Sequence, residues 1–136
     1  PYDYLMEHSG TIAAIEFGIT ALNIKNIIVM GHSGCGGIKN GYQMCLKDSF
    51  DSDSPISKWL KLLKPAYNHI SGKGEDEKIK SLEKISIIQS LENLNTYPFI
   101  SEGLKSGKIV LYGAWNDIGT GSVETYDSEK KKFIKI

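Results

Sequence analysis

The sequence predicts one α/β domain over residues 1–136, with a mostly parallel central sheet and flanking helices. Two short apolar runs, at residues 27–30 and 108–115, are typical of buried strands. Helical patterns alternate with these runs, as expected when helices cover a sheet. A hydrophobic content of 40% in 136 residues is enough for one core and too little for two.

The first half of the chain is predicted to form a helix, a strand, a turn and a second helix, in that order. Ser9 can cap a helix over residues 11–22, in which Ile12, Ile15 and Ile19 recur on one face. Residues 27–30 form a central strand, covered on both sides, that runs into a glycine-rich turn at 31–37. Residues 38–46 then continue as a helix.

The second half contains the longest predicted helix. Ser54 and Pro55 open a helix over residues 55–70, and residues 75–95 carry apolar side chains in helical register. Pro98 begins a short helix that ends at 103–107, before the second strand. A glycine turn at 119–121 precedes a strand at 122–126, which we expect to be antiparallel to its neighbour. The lysine cluster near the end is expected to be a solvated tail.

Two or three strands are few for a sheet covered on both faces. We therefore expect either that a strand lies outside this chain or that a second copy completes the layer.

The charge balance excludes some classes of partner. Sixteen acidic residues match sixteen basic ones, so nothing indicates nucleic-acid binding. No apolar run is long enough for a membrane span, and two cysteines are too few for a disulfide framework. We expect a soluble, cytoplasmic protein; whether a targeting signal lies upstream is left open. All the basic residues are lysines, and the chain has no arginine.

The glycine-rich turn is the candidate site, because loops at the carboxyl ends of buried strands commonly hold ligands. Its residues are Gly31, His32, Ser33, Gly34, Cys35, Gly36 and Gly37. His32 and Cys35 can reach one point, and imidazole with thiolate is a suitable ligand pair for zinc. The glycines Gly34, Gly36 and Gly37 allow the backbone to fold tightly around an ion.

Other interpretations of the turn stay open at this point. His32 can simply hydrogen-bond within the turn while Cys35 packs as a small buried residue. Ser33 nearly fits a nucleophile elbow, which would make it an esterase nucleophile with His69 and an aspartate among Asp48, Asp51 and Asp53. Cys35 could also act as a nucleophile with His32 as its base.

A longer stretch of sequence resembles the β-class carbonic anhydrases. The matching residues run from Ala13-Ala14-Ile15-Glu16-Phe17 through Leu22 to Ile28-Val29-Met30-Gly31-His32-Ser33-Gly34-Cys35-Gly36-Gly37-Ile38. Further landmarks are Trp59-Leu60, Asn93-Leu94, Thr96-Tyr97-Pro98, Gly113, Asp117 and Thr120-Gly121. The resemblance covers nearly the whole chain, from about Pro1 to Tyr126.

The resemblance implies a zinc-dependent lyase that reversibly hydrates carbon dioxide to bicarbonate. His32 and Cys35 match two of the family's three protein ligands. The third is a cysteine in an upstream C-x-D-S-R motif, whose aspartate and arginine act at the zinc site; this chain lacks the motif. We therefore assign no catalytic residue, and we expect activity in a longer parent protein and weak zinc binding in these 136 residues alone.

The resemblance also implies a homodimer or a higher oligomer. A non-catalytic dimerisation or binding module of the same fold is the alternative function. Cys45 is expected to be structural, and His8 and His69 to be surface histidines. Asn116 stands where many relatives have a tyrosine, which argues against a bicarbonate effector site.

Overall fold

A four-stranded sheet forms the centre of the structure. In the computed structural model, which describes residues 9–136, strands β1 (Asn26–His32), β2 (Val110–Asn116), β3 (Val123–Asp127) and β4 (Lys132–Lys135) lie side by side in that order. β1 and β2 are parallel, whereas the β2–β3 and β3–β4 pairs are antiparallel. The α/β class is confirmed, but the described sheet is mixed rather than mostly parallel. Short turns join its last three strands, and a short turn can connect only antiparallel neighbours.

Helices precede and separate β1 and β2. They are α1 (Ser9–Thr20), α2 (Gly36–Lys47), α3 (Pro55–Leu60), α4 (Lys64–Tyr67), α5 (Glu75–Asn95) and α6 (Pro98–Lys105). The predicted longest helix is confirmed as α5. The single helix expected over 55–70 is wrong, because a 3₁₀ turn (Lys61–Leu63) separates α3 from α4. Pro65 follows that turn, and proline cannot donate the backbone hydrogen bond that a continuous α-helix needs there.

The starts of two helices test the predicted caps. α1 begins at Ser9 itself and ends at Thr20, so Ser9 belongs to the helix instead of preceding it. At α3 the prediction is confirmed: the Ser54 side chain accepts a hydrogen bond from the Ser57 amide, and Pro55 occupies the first turn.

One face of the sheet carries the core. Helix α5 crosses β1 and β2 on this face, where the side chain of Ile87 lies against Gly31 and Gly113. Further along the same face, Ile27 and Leu111 join a cluster built by α1 and α6 around the buried Tyr97, Ile100 and Ile109. A second cluster, around Tyr42, Ala66 and Leu82, packs α2 and α4 against α5.

The opposite face of β1 and β2 is uncovered in the described part of the chain. Burial alternates along β1, and on the outward positions Ile28 and Met30 are 60% and 62% exposed. Tyr112, paired with Ile28, is 45% exposed. We call the outward side chains of Ile28, Met30, Val110 and Tyr112 the open face. The expectation that β1 is covered on both sides is therefore not met within residues 9–136, since an apolar run shows only that both faces avoid water and not what covers them.

The predicted solvated tail is wrong, because residues 132–135 form strand β4. Phe133 pairs with Tyr126 of β3, and their rings lie 5.4 Å apart between centroids. The ammonium of Lys84 also lies 5.4 Å from the Phe133 ring. These contacts bring the lysine-rich segment into the sheet. None of the described helices is long and apolar enough to cross a membrane.

A candidate metal centre at the end of strand β1

The glycine-rich turn connects β1 to α2. His32 is the last residue of β1, Gly34 has a φ of +67°, and Cys35 precedes the first residue of α2 in an extended conformation. A positive φ is accessible to glycine at little steric cost, so Gly34 is the residue that lets the chain reverse here. Gly36 and Gly37 lie in the first turn of α2, and a side-chain carbon at Gly36 would meet nothing within 4 Å. The tight fold therefore depends on Gly34 rather than on all three glycines.

Ser33 fastens this turn to the end of β2. Its amide donates to the carbonyl of Asn116 at 2.8 Å, and its hydroxyl oxygen accepts from the Ile118 amide at 2.9 Å. The same hydroxyl donates to Asp117 Oδ1 at 3.5 Å. Asp117 in turn accepts the amides of Gly119 and Thr120. The carboxyl ends of the two parallel strands are thus joined at the site.

Glu83 on α5 fastens the turn from the other side. Its Oε1 accepts the amides of Gly34 at 2.7 Å and Cys35 at 3.3 Å, and its Oε2 accepts the indole N–H of Trp115 at 3.2 Å. The side chain is buried, at 3% exposure. Our sequence analysis missed this residue. A signal was available, because Glu83 lies four residues after Ile79 and four before Ile87, which puts a carboxylate within the apolar stripe of a helix.

His32 has one ring nitrogen engaged. Nδ1 lies 3.0 Å from the Ser33 carbonyl oxygen, which can only accept, so Nδ1 carries the hydrogen in this contact. In the neutral ring, Nε2 then has a free lone pair. Metal-ligating histidines commonly hold their second nitrogen in this way.

His32 and Cys35 open onto the same cavity. The cavity has a volume of about 220 Å³ and lies between the free edge of β1, α2 and α5. Met30, Ile38 and Glu83 also line it. The two predicted ligands therefore share one space.

These donors fit two positions of a zinc site. Imidazole and thiolate are ligands that zinc prefers, but a structural or catalytic zinc site takes at least three ligands from protein. Residues 9–136 contain no group of three or more His, Cys, Asp or Glu side chains that could hold a metal ion. His32 and Cys35 are therefore compatible with zinc without completing its shell.

The remaining cysteine and histidines do not join the site. Cys45 lies near the end of α2 and is half-buried, and burial raises the pKa of its thiol. His69 is exposed, just after α4. His8 lies outside the described residues.

The esterase triad does not form in the described part of the molecule. The hydroxyl of Ser33 contacts Asp117 and the Ile118 amide, and none of the hydrogen bonds between described residues joins Ser33 to His69. Asp48, one of the candidate acids, pairs with Lys64 instead. A serine nucleophile needs a histidine within hydrogen-bond reach, so the structure gives Ser33 a role in holding the turn.

Asn116 leaves a polar atom without a partner. It pairs with His32 across the two parallel strands, and its Oδ1 is buried without a hydrogen bond among the described residues. A buried oxygen of this kind costs free energy unless a donor reaches it. The unmatched acceptor lies beside the candidate ligand His32.

Comparison with known proteins decides the family. A family model described as carbonic anhydrase matches residues 3–123, which is most of the chain. The chain belongs to the β-class carbonic anhydrases. Beta carbonic anhydrase 3 of Arabidopsis thaliana is 35% identical over 137 residues, covering 96% of this chain and 52% of the relative. Beta carbonic anhydrase 5, chloroplastic, of the same plant is 38% identical over 109 residues, covering 77% of this chain and 36% of the relative.

Solved β-carbonic anhydrases share the fold. The β-carbonic anhydrase CcaA superposes with a TM-score of 0.77 at 31% identity, over 93% of this chain and 58% of that one. A tetrameric β-carbonic anhydrase from Sordaria macrospora gives a TM-score of 0.69 at 26% identity, over 85% of this chain and 58% of that one. The chain thus spans about half the length of these relatives.

Proposed function

We propose that this chain carries half of the zinc centre of a β-class carbonic anhydrase, and that a longer parent protein reversibly hydrates carbon dioxide to bicarbonate. The observation that carries the proposal is the cavity shared by His32 and Cys35. Bound zinc would supply Lewis-acid activation of water. The chain's own part is to hold the imidazole and the sulfur on one short turn. Residues 1–136 would form one domain that lacks the first strand of the family fold.

The unpaired edge of β1 in the described sheet is a suitable place for a strand that carries the third zinc ligand. In the described sheet, β1 pairs only with β2, so its other edge faces the cavity without a partner strand. A strand added at this edge would run beside His32. We propose that a C-x-D-S-R strand occupies this edge and provides the third ligand together with the aspartate and arginine of the family mechanism.

Metal analysis with paired variants tests the proposal. We expect the 136-residue chain to bind zinc weakly, and a longer form carrying a C-x-D-S-R strand to hold about one zinc per chain and to hydrate carbon dioxide. His32→Ala and Cys35→Ser should remove both properties from the longer form. His69→Ala and Cys45→Ser are the matched controls, because they change the same residue types away from the cavity. A longer form without zinc or without hydration activity would refute the proposal.

A non-catalytic module of the same fold is the second candidate. It is favoured by the sequence itself, which has no arginine and only two zinc ligands at the turn. The same experiment separates the candidates: zinc and hydration in the longer form support the enzyme, and a folded longer form with neither supports the module.

We also propose that the protein forms a homodimer or a higher oligomer through the open face. Exposed apolar side chains on neighbouring strands, such as Met30 and Tyr112, make a contiguous patch that a second copy can cover. Sedimentation of the wild type and of Tyr112→Lys tests this, with Lys73→Glu as a surface control. A monomeric wild type at high concentration would refute it. The cytoplasmic location stays a prediction; the word chloroplastic belongs to one relative's name.

A further inference from the structure

Glu83 is a buried carboxylate with no ion-pair partner among the described residues. Its three hydrogen bonds all come from neutral N–H groups, two on the turn and one on Trp115. Two lysines on the same helix make other contacts, since Lys84 pairs with Glu124 and Lys80 lies over the Trp115 ring. A charge buried in this way is costly unless it is fully hydrogen-bonded. Within the described residues, Glu83 therefore accepts hydrogen bonds from the backbone of the ligand turn and does not pair with a cation.

One hydrogen bond of Glu83 acts directly on a candidate ligand, Cys35, and a second acts on the neighbouring Gly34. One of them holds the amide of Cys35 itself, and another holds Gly34, the residue whose positive φ reverses the chain. Trp115 ties the same carboxylate to β2. A single side chain, that of Glu83, thus fixes the backbone of Cys35 relative to the sheet. Groups that orient metal ligands from behind commonly contribute 10- to 100-fold to metal affinity.

We propose that Glu83 is a positioning residue of the zinc centre, which presets the turn so that Cys35 and His32 face one cavity. This inference rests on the proposed zinc function. Glu83 lines the cavity, but among the described residues it does not form a three-residue metal-binding group with His32 and Cys35, and both of its oxygens accept hydrogen bonds from the turn or from Trp115. Its role is accordingly to hold the turn and not to bind the metal.

The hydrogen-bond pattern provides a specific test. A glutamine at position 83 has one acceptor oxygen and one N–H₂ donor group. If the glutamine oxygen faces the turn, its N–H₂ group faces the indole N–H of Trp115, and two donors then meet. If the side chain flips, the N–H₂ group faces the donor amides of Gly34 and Cys35 instead. Trp115→Phe removes the indole donor. Glu83→Gln should therefore be harmful alone and partly rescued in the Glu83→Gln/Trp115→Phe double variant.

Two measurements test the role. The first is amide hydrogen exchange at Gly34 and Cys35 in the 136-residue chain, read by NMR. The second is zinc affinity, measured by competition with a chromophoric chelator in the longer form that carries the third ligand. Glu102→Gln is the matched control, because Glu102 is exposed on α6.

For Glu83→Gln we expect exchange at both turn amides to quicken about tenfold, and zinc affinity to fall about 10- to 100-fold. Interior amides of α5 should be unchanged. The double variant should recover most of the zinc affinity relative to Glu83→Gln, and the control should match the wild type.

Four results would overturn the inference. Unchanged zinc affinity in Glu83→Gln would show that the turn does not need the carboxylate. Faster exchange throughout α5 would show a role in general stability only, as would the absence of rescue by Trp115→Phe. If the wild-type longer form binds no zinc, the proposed function fails as well, whereas zinc bound equally by wild type and variant refutes only the role of Glu83.

Discussion

Gly31 allows α5 to approach the sheet next to His32, and Gly31→Ala tests how much the fold depends on this contact. An added Cβ would lie 2.9 Å from Cδ1 and 3.1 Å from Cγ1 of Ile87, both closer than normal van der Waals contact. Ile87 is only 2% exposed, and its Cγ2 already lies 3.0 Å from the position of a Cβ at Gly113. The isoleucine packs between two glycines, and its side chain also lines the cavity beside His32, so a movement of Cδ1 can relieve only part of the overlap.

The expected magnitude combines two terms of opposite sign. Overpacking a close-packed core costs about 1–3 kcal/mol, and replacing a strand glycine by alanine recovers about 0.5–1 kcal/mol of backbone entropy. The two ranges combine to a loss of about 0–2.5 kcal/mol, and we expect Gly31→Ala to lower the free energy of unfolding by about 1 kcal/mol. Urea unfolding followed by circular dichroism measures this difference.

Two companion variants make the test specific. Gly10→Ala makes the same substitution in α1, where a Cβ meets no described atom within 4 Å, so it should leave stability unchanged or raise it by up to about 1 kcal/mol. Ile87→Val removes Cδ1, so in combination with Gly31→Ala the loss should be smaller than the sum of the single losses. If Gly31→Ala is as stable as Gly10→Ala, the close packing of α5 on β1 does not exist as described.

Three further predictions concern charges. Lys84→Met should lower the free energy of unfolding in urea by about 1–2 kcal/mol, since Lys84 and Glu124 pair at 2.6 Å with both side chains 22% exposed and the ammonium lies 4.5 Å from the Trp115 ring. Lys64→Met breaks a more exposed ion pair and should change the free energy of unfolding little. Equal losses in the two variants would contradict this reasoning. The backbone amide of Lys130 lowers the pKa of Asp127, so this carboxylate stabilises the fold at neutral pH and loses its contribution as the pH falls through the lowered pKa. The stability difference between wild type and Asp127→Asn should therefore narrow in acid, and a difference that widens there would refute the assignment. Burial raises the pKa of the Cys45 thiol, and the charge of Lys64 lowers it. In a Cys35→Ser background, where Cys45 is the remaining thiol, Lys64→Met should therefore shift alkylation of Cys45 by iodoacetamide to higher pH. Lys73→Met should leave the pH dependence of alkylation unchanged.

Elements with local signals could be predicted from the sequence. Helix α5 has the bounds that we expected, Glu75–Asn95, because Gly74 precedes it and Pro98 follows shortly after its end. The strand, turn and helix around His32 were predictable for the same reason. In both segments, the residues that start or stop the element are its immediate neighbours in the sequence.

Elements that depend on distant contacts could not be predicted in this way. Strand β4 consists of Phe133 and Ile134 between two lysines, a pattern that suggests a solvated tail when considered alone. Its stabilisation comes from Tyr126 across the strand pair and from Lys84 on α5. Glu83 is a similar case at the site, since it contacts a turn 48 and 49 residues earlier in the chain. Periodicity identifies its helix face but not the group that it meets.

The unmet requirements of the described structure lie at one end of the sheet. Met30 and Tyr112 expose apolar surface on the outward side of β1 and β2, and the outer edge of β1 has no partner strand among residues 9–136. Asn116 keeps a buried oxygen without a donor among the described residues, beside His32, and the turn holds two candidate zinc ligands where a zinc site takes at least three. Each requirement is of a different kind: burial of apolar area, strand pairing, hydrogen bonding and metal coordination. A strand on the outer edge of β1 would pair that edge and, as proposed, bring the third ligand, whereas a second copy of the chain would cover the apolar side chains of the open face, so we expect zinc binding and association to depend on different additions.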